Sequence, residues 1–259
     1  MNRVIVLAYD GEFDASVIEV LARQTMADVV TVTVDIGQSR DVHAVRDIAL
    51  AAGAVRSHVV DASDDFVRDC VLPGLQSRLD LTGHPSSTTL GYPIIAAKLV
   101  DVARREQTQL VAHGGGVELT AAIHVLDPTV QVLTVDGVRR MAAHTTLPSA
   151  CHLLQRPVAD PAAARGIAAN VEIEFDAAVP VAVNGVALTL PELMESLALI
   201  GGQHGIGHAE SADAPGLLVL ATAYRALDHE SGVVRIELLD GRQRILSADS
   251  RIPALVTHA

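Results

Sequence analysis

The chain opens on a short apolar run at residues 4–8, which stops in the polar loop Tyr9-Asp10-Gly11-Glu12-Phe13-Asp14-Ala15-Ser16. Apolar residues then recur at 17, 18, 20 and 21, the spacing of one helix face. Residues 29–34 (VVTVTV) predict a buried strand, and residues 41–52 a helix closed by Gly53. Residues 55–60 read as a third strand. Residues 63–80 read as a helix interrupted near Pro73, and residues 94–106 as a helix with Pro93 just inside its start. A short strand at 110–112 runs into His113-Gly114-Gly115-Gly116. A helix over 118–126 stops at Pro128, and a strand follows at 130–135. Strands and helices alternating at this spacing predict a parallel sheet joined by right-handed crossovers. Ligands of such sheets bind at the carboxyl ends of the strands. Loops 9–16, 35–40 and 113–117 all leave those ends.

From about residue 145 the pattern changes. Residues 155–170, rich in Ala, Pro and Arg, read as a linker. Strands are predicted at 171–175 and 179–183, with Asn184-Gly185 as a hairpin turn. A helix follows at 190–200 with Pro191 at its start, and then a glycine-rich loop, GGQHGIGH, at 201–208. Residues 214–227 are mostly helical. Residues 233–239 and 242–246 form a hairpin across Asp240-Gly241. The expected fold class is α/β over residues 1–145, a twisted parallel sheet with helices on both faces, plus a smaller α+β domain over 146–259.

Composition narrows this picture. Hydrophobic residues make up 49% and aromatics only 2%, so the core is aliphatic, as suits β-branched strands in a two-sided sheet. The net charge is 19 − 31 = −12 and Lys98 is the single lysine, which argues against nucleic acid as a partner. Mean hydropathy is +0.33, yet no apolar run reaches the roughly 18 residues of a membrane span. The start of the chain lacks the basic stretch of a secretion signal, and Cys70 and Cys151 have no CxxC spacing; a cytoplasmic protein is expected. Both cysteines read as buried thiols. His204 and His208 lack a third ligand nearby, so no metal site is assigned.

Several segments, taken in order, resemble argininosuccinate synthase, a PP-loop ATP pyrophosphatase. Ala8 to Ser16 is similar to the family's A-Y-S-G-G-L-D-T-S, and Asp35-Ile36-Gly37-Gln38 to its D-x-G-Q. Tyr92-Pro93-Ile94-Ile95-Ala96-Ala97-Lys98-Leu99-Val100 resembles R-P-x-I-A-x-K-x-V, and Ala112-His113-Gly114 its A-H-G. Later, Val179 to Gly185 resembles V-P-V-A-L-N-G, His204 to Gly207 resembles H-G-V-G, and Pro215-Gly216 with Tyr224 to Leu227 resembles P-G…H-R-A-L. The resemblance implies an adenine-nucleotide-alpha-hydrolase-like (Rossmann-like) fold and a ligase that uses ATP and Mg²⁺ to join citrulline and aspartate. It places Ala8, Tyr9, Gly11, Ser16, Val34 and Gly114 at the nucleotide, and His84, Thr89 and Glu118 at the substrate.

The chain also departs from that pattern. Asp10 stands where the family has serine and Glu12 where it has glycine. A carboxylate about 5 Å from a phosphate costs about 3 kcal/mol at an effective dielectric near 20. Such a loop is either a degenerate nucleotide site or an acidic cluster of Asp10, Glu12 and Asp14 serving a cation or acid–base chemistry. Asp14 is also a candidate helix cap. His113 joins the acids as a catalytic candidate, against the alternative of a turn with a solvated histidine. The polar loop around His84 and Thr89 is either a pocket wall or ordinary surface. The family's G-K-G-N-D segment after H-G is missing, and Glu118 falls where an arginine would hold a carboxylate.

Three functions follow from these residues. The first is an enzyme acting on an altered small molecule with weakened or lost ATP use. The second is an inactive relative that binds a ligand or partner. The third is a genuine argininosuccinate synthase. The family's C-terminal tail, which ties tetramers together, has no counterpart here, so a homodimer is expected.

Overall fold

A computed structural model describes residues 3–11, 14–36, 41–76, 90–135, 166–207, 215–228 and 230–250. These fall into two compact units, one from residues up to 63 together with 90–135, the other from 64–76 together with 166–250. The division expected at residue 145 therefore misses an excursion. The helical stretch after Ser63 belongs with the second unit, although the strands on either side of it belong to the first.

The first unit is a five-stranded sheet of β1 (Val4–Ala8), β2 (Asp28–Asp35), β3 (Arg56–Asp61), β4 (Leu110–His113) and β5 (Gln131–Thr134). All pairs are parallel and the order is β3-β2-β1-β4-β5. Alternation along β1 sorts the two faces. Ile5 and Leu7 pack with Val17, Ile18 and Leu21 of α1 (Ser16–Thr25) and Val45 and Ala49 of α2 (Val42–Ala51). Val6 faces the other way with Val32 and Val111. There it meets Ala96, Leu99 and Val100 of α5 (Tyr92–Arg105) and Leu119 and Ile123 of α6 (Val117–Leu126). Each fully buried aliphatic side chain contributes about 1.5–3 kcal/mol, so the two-sided sheet explains the apolar strand runs. The start of α2 is capped by Asp41, whose carboxylate accepts the His43 and Ala44 N–H groups at 3.0 and 3.1 Å.

The predicted break near Pro73 takes another form. Short α3 (Ser63–Phe66) and α4 (Leu72–Gln76) are joined by a π-helical turn at Val67–Val71. The Leu72 N–H reaches back to the Val67 carbonyl. The wide turn sits just before the proline, which has no N–H to place, and the helical path continues through it.

The second unit is an antiparallel sheet of β6 (Ala169–Asp176), β7 (Val179–Val183), β8 (Val186–Ala187), β9 (Gly232–Leu239) and β10 (Arg242–Ser250), in the order β10-β9-β6-β7-β8. Both predicted hairpin turns carry positive φ at their two central residues: 51° and 76° at Asn184-Gly185, and 47° and 77° at Asp240-Gly241. Helices α7 (Leu190–Gln203) and α8 (Pro215–Ala226) accompany the sheet. At the start of α7 the Glu192 carboxylate accepts the Thr189 N–H at 2.9 Å and its hydroxyl at 2.7 Å.

The expected glycine-rich loop begins three residues late, because Gly201, Gly202 and Gln203 remain helical. A Cβ on Gly201 would lie 3.2 Å from Val219 and 3.3 Å from Pro215, so the bare backbone lets α8 approach. Beyond α7, the His204 carbonyl accepts the Gly241 N–H at 2.8 Å, and this contact secures the turn of the β9–β10 hairpin.

Candidate active site at the ends of β1 and β4

Strand order reverses direction at β1. The chain steps from β1 to β2 on one side and returns through α5 to β4 on the other. Leu7 pairs with Ala112, so the loops that leave β1 and β4 diverge from adjacent points. A crevice at such a switch point is where open α/β sheets hold their ligands.

In the β1 loop, backbone bonds do most of the positioning. The Tyr9 N–H donates to the Val32 carbonyl at 2.9 Å. The Tyr9 carbonyl accepts the buried Thr33 hydroxyl at 2.8 Å. The Tyr9 ring is 2% exposed and lies in the core with Ile5, Leu7 and Val17. Residue 9 shares the parity of 5 and 7, so its ring belongs to the α1–α2 face and its backbone alone lies in the loop. Asp10 and Gly11 follow, both half-buried, with Gly11 at φ 80°. Asp14 is exposed, and its Oδ1 accepts the Ser16 N–H at 2.8 Å while its carbonyl accepts the Val17 N–H at 3.0 Å. Asp14 thus closes the turn that leads into α1, whose N-cap position is Ala15. Ala8 and Val34 lie together on the opposite face of the sheet, packed at the edge of the α5–α6 core.

The β4 loop is organised by His113, which is completely buried. Its Nδ1 lies 3.1 Å from the Gly115 carbonyl and its Nε2 lies 3.0 Å from the Thr120 hydroxyl. Burial pushes its pKa down to about 4, partly opposed by the bond to Gly115, so the ring is neutral near pH 7. Both nitrogens are thus engaged inside the fold, by the Gly115 carbonyl and the Thr120 hydroxyl. The alternative of a solvated histidine does not stand.

Gly114, Gly115 and Gly116 then connect β4 directly to α6. A Cβ on Gly115 would lie 2.7 Å from Leu119 Cδ2. Glu118 is exposed in the first turn of α6, and its carboxylate folds back to 2.5 Å from where a Cβ of Gly116 would sit.

The described parts of the connections leaving the carboxyl ends of β1, β2, β3 and β4 contain no lysine or arginine. They carry the acids Asp10, Asp14 and Asp41. Basic side chains of this unit include Arg56, bonded to Glu106, and Arg104, bonded to Asp127 at 3.3 Å. Among the described residues no group of three His, Cys, Asp or Glu gathers as a metal site. Glu12, His84 and Thr89 lie outside the described residues, so the acidic cluster is described here only through Asp10 and Asp14. Thr33 and Thr120 support both loops and were not anticipated. Thr33 has a visible signal, a hydroxyl inside an otherwise apolar strand run.

Comparison with known families agrees with this topology. The model described as Arginosuccinate synthase N-terminal HUP domain matches residues 4–142. That described as Arginosuccinate synthase C-terminal domain matches residues 152–231. The chain belongs to the argininosuccinate synthase family. Family members similar to it include the argininosuccinate synthases of Streptococcus suis (strain 05ZYH33), 28% identical over 86% of this chain and 71% of that protein, and of Bacillus velezensis, 30% identical over 88% and 71%. The argininosuccinate synthase of Synechococcus elongatus is 31% identical over 86% of this chain and 71% of that protein. No helix among the described residues is long and apolar enough to cross a membrane.

Proposed function

We propose that this chain is an enzyme of the ligase family to which it belongs, acting at the β1–β4 crevice on a small molecule other than the citrulline and aspartate pair. The observation that carries this reading is the connection between β4 and α6. It consists of three glycines, so it offers backbone groups alone where the family's longer segment brings a lysine, an asparagine and an aspartate. The first charged residue after it is Glu118, an acid at the point where an arginine would meet a carboxylate.

ATP and Mg²⁺, which the family implies, fit the β1 loop poorly. A phosphate at the start of α1 would need N–H groups there, and the Asp14 carboxylate already takes the Ser16 N–H. Asp10 adds a second negative charge in the same loop, with no lysine or arginine among its described residues. ATP binding is therefore weak or absent in this reading, and no step is assigned to it. The protein acts as a homodimer in the cytoplasm, and light scattering checks the first of these: a monomer or a stable tetramer rejects it.

A second reading, genuine argininosuccinate synthesis, is favoured by the names of the relatives at 28–31% identity. One assay separates the two. Purified protein is incubated with citrulline, aspartate, ATP and Mg²⁺, and argininosuccinate and pyrophosphate are measured. No product is expected. Turnover comparable with a family enzyme establishes the second reading instead. Native mass spectrometry of the purified protein then seeks the bound small molecule; a protein that binds it without converting it would be an inactive relative.

A further inference from the structure

The antiparallel sheet of the second unit ends on two unlike edges. β8 is two residues long, whereas β10 runs over nine, with β9 on one side and no strand among the described residues on the other. A long strand with an open edge presents a row of unpaired N–H and C=O groups, and β10 carries no proline or lysine to blunt it. Ile245 and Leu246, at its middle, are 45% and 44% exposed. A bulge at the same place limits what can pair there. Ile245 pairs with Ile236 and Ser247 with Arg235, so Leu246 is an extra residue and the side chains change parity across it. Gln243 and Ile245 before the bulge, and Ala248 after it, pair with the buried Leu238, Ile236 and Val234 and share the inner face. Arg242, Arg244, Ser247 and Asp249 share the outer face. There Arg244 bonds Glu237 at 3.0 Å, and Arg235 reaches Ser247 at 3.3 Å and Asp249 at 2.9 Å. The faces therefore read the same from either end: outer at 242 and 249, inner at 243 and 248, outer at 244 and 247, with Ile245 and Leu246 at the centre. Backbone direction has the same symmetry. Leu239 and Arg242 flank a two-residue turn and exchange hydrogen bonds, so alternate residues of β10 turn their backbone groups away from β9. Gln243 and Ile245 do so before the bulge, and Ala248 after it.

We propose that β10 is the homodimer interface, pairing antiparallel with β10 of a second copy about a two-fold axis at Ile245-Leu246 and joining the two sheets into one. Gln243 then meets the partner's Ala248, each with its backbone groups turned to the other. Ile245 meets the partner's Leu246 across the axis, which covers the exposed apolar pair. Charge fits the same register. Antiparallel pairing brings the Arg242 end of one strand to the Asp249 end of the other, and the axis repeats that contact. Arg242 is exposed and has no ion pair among the described residues, while the Asp249 side chain stays 66% exposed beside Arg235. A pairing shifted by one residue would set outer side chains against inner ones, so the bulge selects the register. The proposal rests on the homodimer proposed above and gives it a surface; it is independent of what the β1–β4 crevice binds.

The test uses the whole chain. Sedimentation of the parent at micromolar concentration is expected to give a dimer. At the proposed register Arg244 stands opposite the partner's Ser247 as a pair without hydrogen bonds, where Cα atoms approach to about 4.5 Å. The double variant Arg244→Cys with Ser247→Cys is therefore expected to form a disulfide-linked dimer on mild oxidation. Arg242→Cys with Arg244→Cys, whose sulfurs lie too far from those of the second copy in this register, is expected to give no linked dimer. Arg242→Glu sets two carboxylates against each other at both ends of the interface and is expected to weaken the dimer by about tenfold or more, while Arg242→Lys stays within about threefold of the parent. The position is exposed, and an unchanged circular dichroism spectrum shows that the fold is kept. A dimer that Arg242→Glu leaves intact, or that the 244 and 247 cysteines fail to link, overturns this surface and leaves the homodimer standing. A monomeric parent overturns both. A monomer that dimerises only once residues 251–259 are removed does the same, because that segment would then be the occupant of the edge.

Discussion

The Asp14 carboxylate accepts the backbone N–H of Ser16 at 2.8 Å and closes the first turn of α1 from the loop side. The start of a helix offers unpaired N–H groups and the positive end of its dipole. In a phosphate-binding loop those groups meet the ligand. Here one is met by the chain's own acid. Asp14→Ala is expected to cost about 1 kcal/mol of stability, the usual worth of a side-chain oxygen that takes an unpaired N–H at a helix start. Thermal unfolding checks this, and Asp14→Asn, which keeps the acceptor oxygen, should retain most of the midpoint. An unchanged midpoint in Asp14→Ala would mean that the carboxylate does not hold the Ser16 N–H in solution.

The two acids that replace the family's serine and glycine allow a sharper test of the nucleotide reading. The double variant Asp10→Ser with Glu12→Gly removes two negative charges from the loop. If they face phosphates, calorimetry with ATP and Mg²⁺ should show affinity rising by tenfold or more, since each charge near a phosphate costs about 3 kcal/mol before screening. The parent should bind more weakly than micromolar. No gain in the double variant places the acids away from any phosphate.

Burial of His113 makes a pH prediction with a definite sign. Its pKa falls from an ordinary 6.5 to about 4 on folding, because burial disfavours the charged ring. Between these values the unfolded chain binds a proton that the folded chain refuses. Stability is therefore complete above about pH 6.5 and declines as pH falls toward 4, by up to about 3 kcal/mol. Urea unfolding at a series of pH values measures the decline. His113→Asn, which cannot titrate, should lose most of the pH dependence in the 4–6.5 window that the parent shows. A parent curve that is flat there would show that the ring is protonated in the folded state.

Much of the parallel sheet was legible because burial on both faces writes strands as continuous apolar runs, as in VIVLA and VVTVTV. The loops at the strand ends were legible for a related reason, since polar residues interrupt those runs where the backbone leaves the sheet. Individual side chains at the site were harder. Tyr9 adjoins the loop motif and reads as a ligand contact, yet period-two parity with Ile5 and Leu7 sends its ring into the core. His113 reads as reactive because a histidine before glycines sits at a strand end. Its actual partner, Thr120, is seven residues away, and only the fold of the glycine turn brings the two together. The extension of α7 through Gly201 and Gly202 was illegible locally, because glycine disfavours helix interiors and the compensating contact comes from α8.

That helix contact yields a last prediction, in which two glycines of one interface should respond differently to the same change. A Cβ on Gly216 would lie 2.6 Å from the Met194 carbonyl oxygen and 2.8 Å from the Ala198 nitrogen, both backbone atoms of α7. Backbone cannot turn aside as a side chain can, so the helices must separate, at a cost of about 1–3 kcal/mol. On Gly201 the nearest atoms are the Val219 Cγ2 at 3.2 Å and the Pro215 Cβ at 3.3 Å, with the Pro215 carbonyl oxygen at 3.4 Å. These contacts yield with small shifts, and alanine in a helix gains about 1 kcal/mol over glycine, which offsets them. Gly201→Ala should therefore be close to neutral and Gly216→Ala clearly destabilising. Chemical denaturation of the two variants, followed through the Tyr224 ring where it meets Phe175 edge-on at 5.1 Å, reads the difference within this unit. Equal midpoints would mean that α7 and α8 are not held at this separation in solution, and the close glycine contact would then have no part in fixing the second unit.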